Sequence, residues 1–313
     1  MKSTKRKKLV IAGGSGFLGR ALISQIAAAF EEAIVLTRKF HPDHDNVRYV
    51  RWDGQHAGPW MCELEQVDLL INLCGKSVNC RYHQQNKEEI LQSRVRSTLA
   101  LGAAVISANN PPKCWMNASS ATIYTDENKI AHTESRGKLG DSFSEGVCKT
   151  WEETFNEIPV PTTRKVILRM GLVLGLEGGV LPEMMNLVNV GLGGTAGKGN
   201  QRVSWIHEAD LAELILDAYE KEWRGVINCT APTHPTNKEF MSILRETMKQ
   251  KLNVPVSNWM LETGAWMKGT ETELITKSRF VYPERALKKG FQFKFPILNS
   301  ALTNLIDHEK SML

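Results

Sequence analysis

Apolar and polar positions fall into blocks of two lengths along most of the chain. Short strand-like runs rich in aliphatic residues stand at 9–12, 33–39, 47–52, 67–73, 115–119, 165–174 and 225–231. Longer amphipathic stretches lie between them at 20–30, 86–109, 143–157 and 211–219. Continuous apolar runs suit strands buried on both faces, and stretches with a 3.6-residue period suit the helices that cross between them. The alternation predicts a doubly wound parallel sheet in an α/β fold. Beyond a proline-bounded break at 232–235, stretches at 238–251, 256–268 and 283–287 read as helices. Trp259 and Trp266 in the second of these suit a core or a cleft lid better than a platform for stacked bases.

The first block also carries the first chemistry. The buried run Leu9 to Ala12 breaks into Gly13-Gly14-Ser15-Gly16-Phe17-Leu18-Gly19 and then into a helical stretch. Gly13, Gly16 and Gly19 give the spacing GxxGxxG, suited to a tight turn, a close approach to a pyrophosphate and packing of helix on strand. With Ser15, Phe17 and Leu18 between them, they would place an anion over the free N–H groups of the helix. Glycines alone mark any turn; the strand before and the helix after point to a dinucleotide site.

The second run ends in Thr37-Arg38-Lys39, with no carboxylate to hold a ribose 2′-hydroxyl. Arg38 suits a 2′-phosphate, so NADP(H) is expected in preference to NAD(H), the alternative being a solvated loop cation. Asp53 after the third run either accepts from an adenine amino group or begins a turn. Cys74-Gly75-Lys76 after the fourth is a small-residue turn that lets the chain pass close to the cofactor.

Composition narrows the classes of function. The 313 residues can bury a large core, and 42% apolar with 23% charged residues is ordinary for a globular protein. The net charge of +5 draws on Lys2, Lys5, Arg6, Lys7 and Lys8, which read as a solvated terminus rather than a contact for nucleic acid or an acidic membrane. The apolar run that follows is too short for a signal peptide, and no stretch approaches the roughly 18 apolar residues of a membrane span. Cysteines 62, 74, 80, 114, 148 and 229 form no CxxC pair, so neither a metal site nor a disulfide framework is expected, and the cytoplasm is the default. A small-molecule partner is expected, with a homodimer left open.

Several motifs in order carry a resemblance. GGSGFLG, SSATIY, ILRMGLVLG and SWIHEADLA resemble the extended short-chain dehydrogenase/reductase superfamily. INLCGKSV, KEEILQSRVRST, GLGGTAGKGNQRVSWIH and GFQFKFP are similar to its atypical NAD(P)-binding branch, the sugar-nucleotide epimerase-like proteins. The resemblance implies a Rossmann domain over 1–231, in which 176–207 contribute a cleft loop. A small segment at 232–313 would close the cleft.

It also implies a chemistry: a tyrosine phenol moves a proton, a lysine four residues later lowers its pKa, and a serine holds the substrate oxygen. Ser120 matches that serine. The tyrosine is absent, because Glu145 stands four residues before Lys149. That pair reads either as a surface i, i+4 ion pair or as a site that keeps only its lysine. Tyr124 could supply a phenol from the neighbouring loop or simply pack. Arg202 and Lys198 in the glycine-rich stretch could hold an anionic group, and His207 could line the cleft. Asp210 is expected to cap the helix that follows. An oxidoreductase or epimerase for a hydroxyl- or carbonyl-bearing molecule, with a nucleotide sugar as one class, is the first reading. A cofactor-binding sensor or scaffold without turnover is the second.

Overall fold

A computed structural model describes residues 6–251 and 277–312; the expected helix at 256–268 lies outside them. Seven parallel strands form the central sheet. They are β1 (Arg6–Ala12), β2 (Phe30–Thr37), β3 (Val47–Arg51), β4 (Leu69–Asn72), β5 (Cys114–Ser120), β6 (Arg164–Met170) and β9 (Gly225–Cys229). Their order is β3-β2-β1-β4-β5-β6-β9. Ala12 pairs with Leu36 on one side and Asn72 on the other, so the chain reverses its winding between β1 and β4. In such sheets ligands bind outside the carboxyl ends of the strands at that reversal.

Helices cover both faces. One face packs on α1 (Phe17–Ile26) and α5 (Glu208–Glu220) through Leu22, Ile26, Leu211 and Ile215. The other packs on α2 (Gln84–Ser107) and α3 (Phe143–Glu157) through Leu101, Val105 and Phe155. No described helix is long and apolar enough to cross a membrane.

The single run expected at 165–174 is divided. Gly171 lies where a methyl would come within 2.7 Å of the Ser204 carbonyl oxygen, and the chain leaves the main sheet there. The remainder, β7 (Leu172–Leu174), pairs with β8 (Trp205–His207) in a separate two-stranded sheet. A second core grows around that sheet, joining Leu174, Leu181 and Trp205 to Phe240, Leu302 and Leu305. It is built from α4 (Leu181–Asn189), α6 (Asn237–Thr247) and the last helix (Leu298–Met312), with the short α7 (Glu284–Lys288) before it. Neither α4 nor the last helix, α8, is anticipated by the sequence blocks. The expected cap at Asp210 is corrected. His207 Nδ1 accepts from the Ala209 N–H at 3.0 Å and caps α5 instead. Asp210 is fully buried and accepts from the backbone N–H groups of Lys294 and Phe295, pinning the C-terminal strap to the sheet domain.

Candidate active site

At the reversal the three glycines have three different reasons. Gly13 has φ +76°, and a methyl on it would lie 3.1 Å from the Cys74 nitrogen. A methyl on Gly19 would overlap the backbone of Gly14, so α1 could not sit on the turn. Gly16, at the N-cap of α1, faces open space, its nearest neighbour being the Gly13 carbonyl oxygen at 3.7 Å. The fold itself requires Gly13 and Gly19; nothing among the described residues requires Gly16. Ser15 is tied to the end of β2 by a 2.9 Å hydrogen bond from the Thr37 hydroxyl. Phe17 is covered by Gly178 and Gly179, and Arg20 donates to the Ser15 and Glu177 carbonyls, so the 175–179 loop folds over the turn. Leu18 packs against the sheet core.

Beyond Thr37 the rim is cationic. Arg38, Lys39, Phe40, His41, Tyr49 and Arg51 line a cavity of about 350 Å³. The His41 and Tyr49 rings lie 4.9 Å apart. Among the described residues Arg38, Lys39 and Arg51 have no carboxylate in ion-pair reach. Asp53 follows this rim and is bonded within its own turn. Its Oδ1 accepts from the Gln55 and His56 N–H groups at 2.9 Å, and Oδ2 meets His56 Nδ1 at 2.5 Å. The backbone bond from His56, aided by its side chain, holds the carboxyl down to about 2. Its role is the turn.

The opposite wall is the turn after β4. Asn72 bonds to Asn117 at 2.7 Å and to Thr98 at 3.1 Å, and its Oδ1 accepts from the Cys74 N–H. Burial pushes the Cys74 thiol up to about 12, so it stays neutral. Gly75 is exposed, and the Arg94 guanidinium lies 3.0 Å from where its methyl would be.

Ser120 ends β5 half-buried. Its hydroxyl donates to Thr122 Oγ1 at 2.9 Å and accepts from the Thr122 N–H, fixing the turn Ala121–Ile123. Tyr124 does not reach the cleft. It is fully buried, stacked on His132, and its hydroxyl accepts from Arg169 at 2.8 Å while donating to Asn228 at 2.9 Å. Arg169 is held in turn by Glu152, which also accepts from Ser119 at 2.5 Å. Desolvation pushes the Tyr124 phenol up. The packing alternative is the one the geometry favours, because every polar partner of Tyr124 is internal.

Lys149 and Glu145 do not pair. Lys149 reaches outward to the exposed Asp141 at 2.6 Å. Glu145 is only 3% exposed and faces Lys277 at 3.3 Å and Arg279 at 3.6 Å, with Oε2 unpartnered. Cys148, one residue before the lysine, packs with Ala121, Ile123 and Tyr124. One residue is about 100° on a helix, so the face that meets the Ser120 turn carries Cys148 and, a turn earlier, the buried Ser144, whose hydroxyl has no partner among the described residues. Sequence reasoning missed Ser144, Cys148 and Arg94. Arg94 lies within KEEILQSRVRST on α2, where helix periodicity alone gives no sign of its role.

The two expected substrate residues sit in the second core. Arg202 donates to the His234 carbonyl at 3.0 Å and lies over the Phe280 ring. His207 is buried and stacked on Phe295 at 4.0 Å, and desolvation lowers it to about 4. His207 packs on the strap, whereas Arg202 packs on Phe280 and the His234 backbone. Lys198 is exposed.

A parallel sheet with this reversal, a glycine turn opening α1 and a serine at the end of β5 define a Rossmann-type dinucleotide-binding protein. The chain belongs to the NAD dependent epimerase/dehydratase family, whose model matches residues 9–229. A domain of unknown function, DUF1731, matches residues 256–305. The human epimerase family protein SDR39U1 is 31% identical over 304 residues, covering 96% of this chain and 99% of the relative. The epimerase family protein YfhF of Bacillus subtilis is also 31% identical, covering 97% and 99%. Among solved structures, human SDR39U1 (isoform 2) with NADPH has a TM-score of 0.83 at 28% identity, over 96% of this chain and 99% of that one. The nucleoside-diphosphate sugar epimerase of Corynebacterium glutamicum has a TM-score of 0.77 at 25% identity, over 98% of this chain and 59% of that one.

Proposed function

We propose that the chain binds NADP(H) and acts as an oxidoreductase or epimerase on a small molecule bearing a hydroxyl or carbonyl group. The observation that carries this is the rim of Arg38, Lys39 and Arg51, cations without carboxylates beside the glycine turn. Gly16 adds a fit of its own, since its missing side chain leaves room that nothing among the described residues fills. The human relative solved with NADPH supports the same reading. The turn Gly13 to Gly19 would hold the diphosphate, and Arg38 with its neighbours the 2′-phosphate. When bound, the dinucleotide supplies a hydride donor or acceptor. Ser120 would hold the substrate oxygen, its hydroxyl oriented by Thr122. A second reading, a cofactor-binding sensor or scaffold, is favoured by one observation: α3 turns Ser144 and Cys148 toward the Ser120 turn where a tyrosine and a lysine are expected.

Calorimetric titration with NADPH and NADH tests the cofactor. A guanidinium–phosphate contact at an exposed rim gives an expected preference of about 10- to 100-fold for NADPH, or roughly 1.4–2.7 kcal/mol. Arg38→Glu should erase or reverse it. Equal wild-type affinities, or a preference indifferent to the substitution, would mean that Arg38 only meets solvent.

A further inference from the structure

One cation in the cleft is enclosed without a counter-charge. Arg94 projects from α2 with its Cζ 5.1 Å from the centroid of the Trp151 ring. Its Nη1 donates to the Lys76 carbonyl at 3.1 Å and the Ile90 carbonyl at 2.8 Å. Nε and Nη2 have no partner among the described residues, and no carboxylate there is in ion-pair reach. The acids of the facing helix are committed elsewhere, Glu152 to Arg169 and Glu145 to Lys277 and Arg279. Desolvation lowers the guanidinium from the ordinary arginine value, yet the side chain keeps part of its surface accessible. Deep and still accessible describes the wall of a cleft. An enclosed cation without an anion is costly, and a charge kept at that cost points to an anion that arrives from outside.

The location says which chemistry. Arg94 lies against Gly75, and the Cys74–Gly75 turn adjoins the glycine turn so closely that a methyl on Gly13 would come 3.1 Å from the Cys74 nitrogen. The turn that Arg94 borders is thus the one that adjoins the glycine turn, which puts the guanidinium on the side of the cleft next to the expected anion. A methyl on Gly75 would come within 3.0–3.2 Å of the guanidinium carbon and both terminal nitrogens, blocking that edge. We infer that Arg94 is an anion-binding residue of this cleft, its free edge taking a phosphate oxygen of the bound ligand past Gly75. The planar fork of two adjacent N–H groups suits a phosphate, and stacking on Trp151 holds the fork in place. The phosphate belongs either to the dinucleotide's diphosphate or to a phosphorylated substrate. The inference rests on the dinucleotide reading only for the placement of the glycine turn.

Calorimetric titration of wild type, Arg94→Gln and Arg94→Lys separates the cases. The probes are NADPH, adenosine 2′,5′-bisphosphate, and UDP added with and without NADPH. The bisphosphate keeps the adenosine-side 5′-phosphate but lacks the nicotinamide-side one. It should bind Arg94→Gln within about twofold of wild type when Arg94 meets the nicotinamide-side phosphate or the substrate, and should lose affinity along with NADPH when Arg94 meets the adenosine-side phosphate. NADPH should lose on the order of tenfold or more if the anion is the cofactor's diphosphate. UDP should lose that much instead if it is the substrate's, and Arg94→Lys should recover part of either loss. Unchanged affinities for NADPH and UDP in folded Arg94→Gln would overturn the assignment, as would a wild type that binds neither. A wild type that ignores the bisphosphate but loses UDP affinity on Arg94→Gln would sink the NADP(H) reading and keep this one. Should the variants not fold, phenylglyoxal modification of the wild type read by peptide mass spectrometry carries the same question. Arg94 should react and be protected by NADPH or UDP; an unreactive or unprotected Arg94 would reject the role.

Discussion

Alanine at Gly16 and at Gly19 should both weaken NADPH binding, but only the second should also cost stability, although the two glycines belong to one turn. Gly16 has φ −79° and ψ 176°, extended backbone that alanine adopts without strain. Alanine is a poorer N-cap than glycine by about 0.5–1 kcal/mol, while the unfolded chain loses freedom worth about 0.4–1 kcal/mol in compensation. The two offset, so Gly16→Ala should leave stability within about 0.5 kcal/mol of wild type. Its methyl points into the space over the start of α1, where a diphosphate would lie, and NADPH affinity should fall on the order of tenfold or more, about 1.4 kcal/mol upward. Gly19→Ala puts its methyl into the Gly14 backbone. Better helix propensity returns about 1 kcal/mol, but overpacking against backbone costs typically 1–3 kcal/mol and displaces the turn. The expected result is a net loss of up to about 2 kcal/mol together with lost NADPH binding. Urea unfolding and calorimetric titration on both variants make the comparison. If Gly16→Ala bound NADPH like wild type, no diphosphate would approach that residue and the turn would not be a cofactor cradle.

Other expectations follow from the same geometry. Arg169→Met leaves the buried Glu152 carboxylate without its partner and should cost about 3–5 kcal/mol in urea unfolding, much of it recovered when Glu152→Leu is added; a loss below about 1 kcal/mol would show that the pair is open to water. His207 is lowered to about 4 from an unfolded value near 6.5, so the unfolded chain takes up its proton first as the pH falls. The stability this histidine contributes as a buried neutral ring is present above pH 6.5 and is lost progressively toward pH 4, by up to about 3 kcal/mol. His207→Gln should flatten the stability–pH curve over that window, and an unchanged slope would contradict the assignment. Ser120→Ala should reduce turnover of any substrate identified by on the order of tenfold or more, with NADPH affinity unchanged and stability lower by about 1 kcal/mol for the lost turn cap.

The sheet was legible because its evidence is local. Runs such as Leu9 to Ala12 and Leu69 to Ile71 are apolar on both faces, as a strand covered from both sides requires. The glycine turn was legible for the same reason: Gly13 and Gly19 answer to backbone within a few residues or on the adjoining strand end. Even the limits of α3, Phe143–Glu157, follow from periodicity and the residues that flank it. What periodicity does not carry is which face of a helix meets a particular partner. Glu145 turns inward because Lys277 and Arg279, more than 130 residues later, receive it, and Lys149 is left to Asp141. Tyr124 is drawn into the interior by Arg169 and by Asn228 on the last strand of the sheet. Gly171 ends β6 because Ser204 crosses behind it, and Asp210 is taken from its helix end by the strap at Lys294 and Phe295. In each case a side chain or backbone group is satisfied by a partner remote in sequence. The local pattern fixes the elements, but only the folded chain determines which polar groups they bury together, because the cost of an unpaired buried group is settled between elements rather than within them.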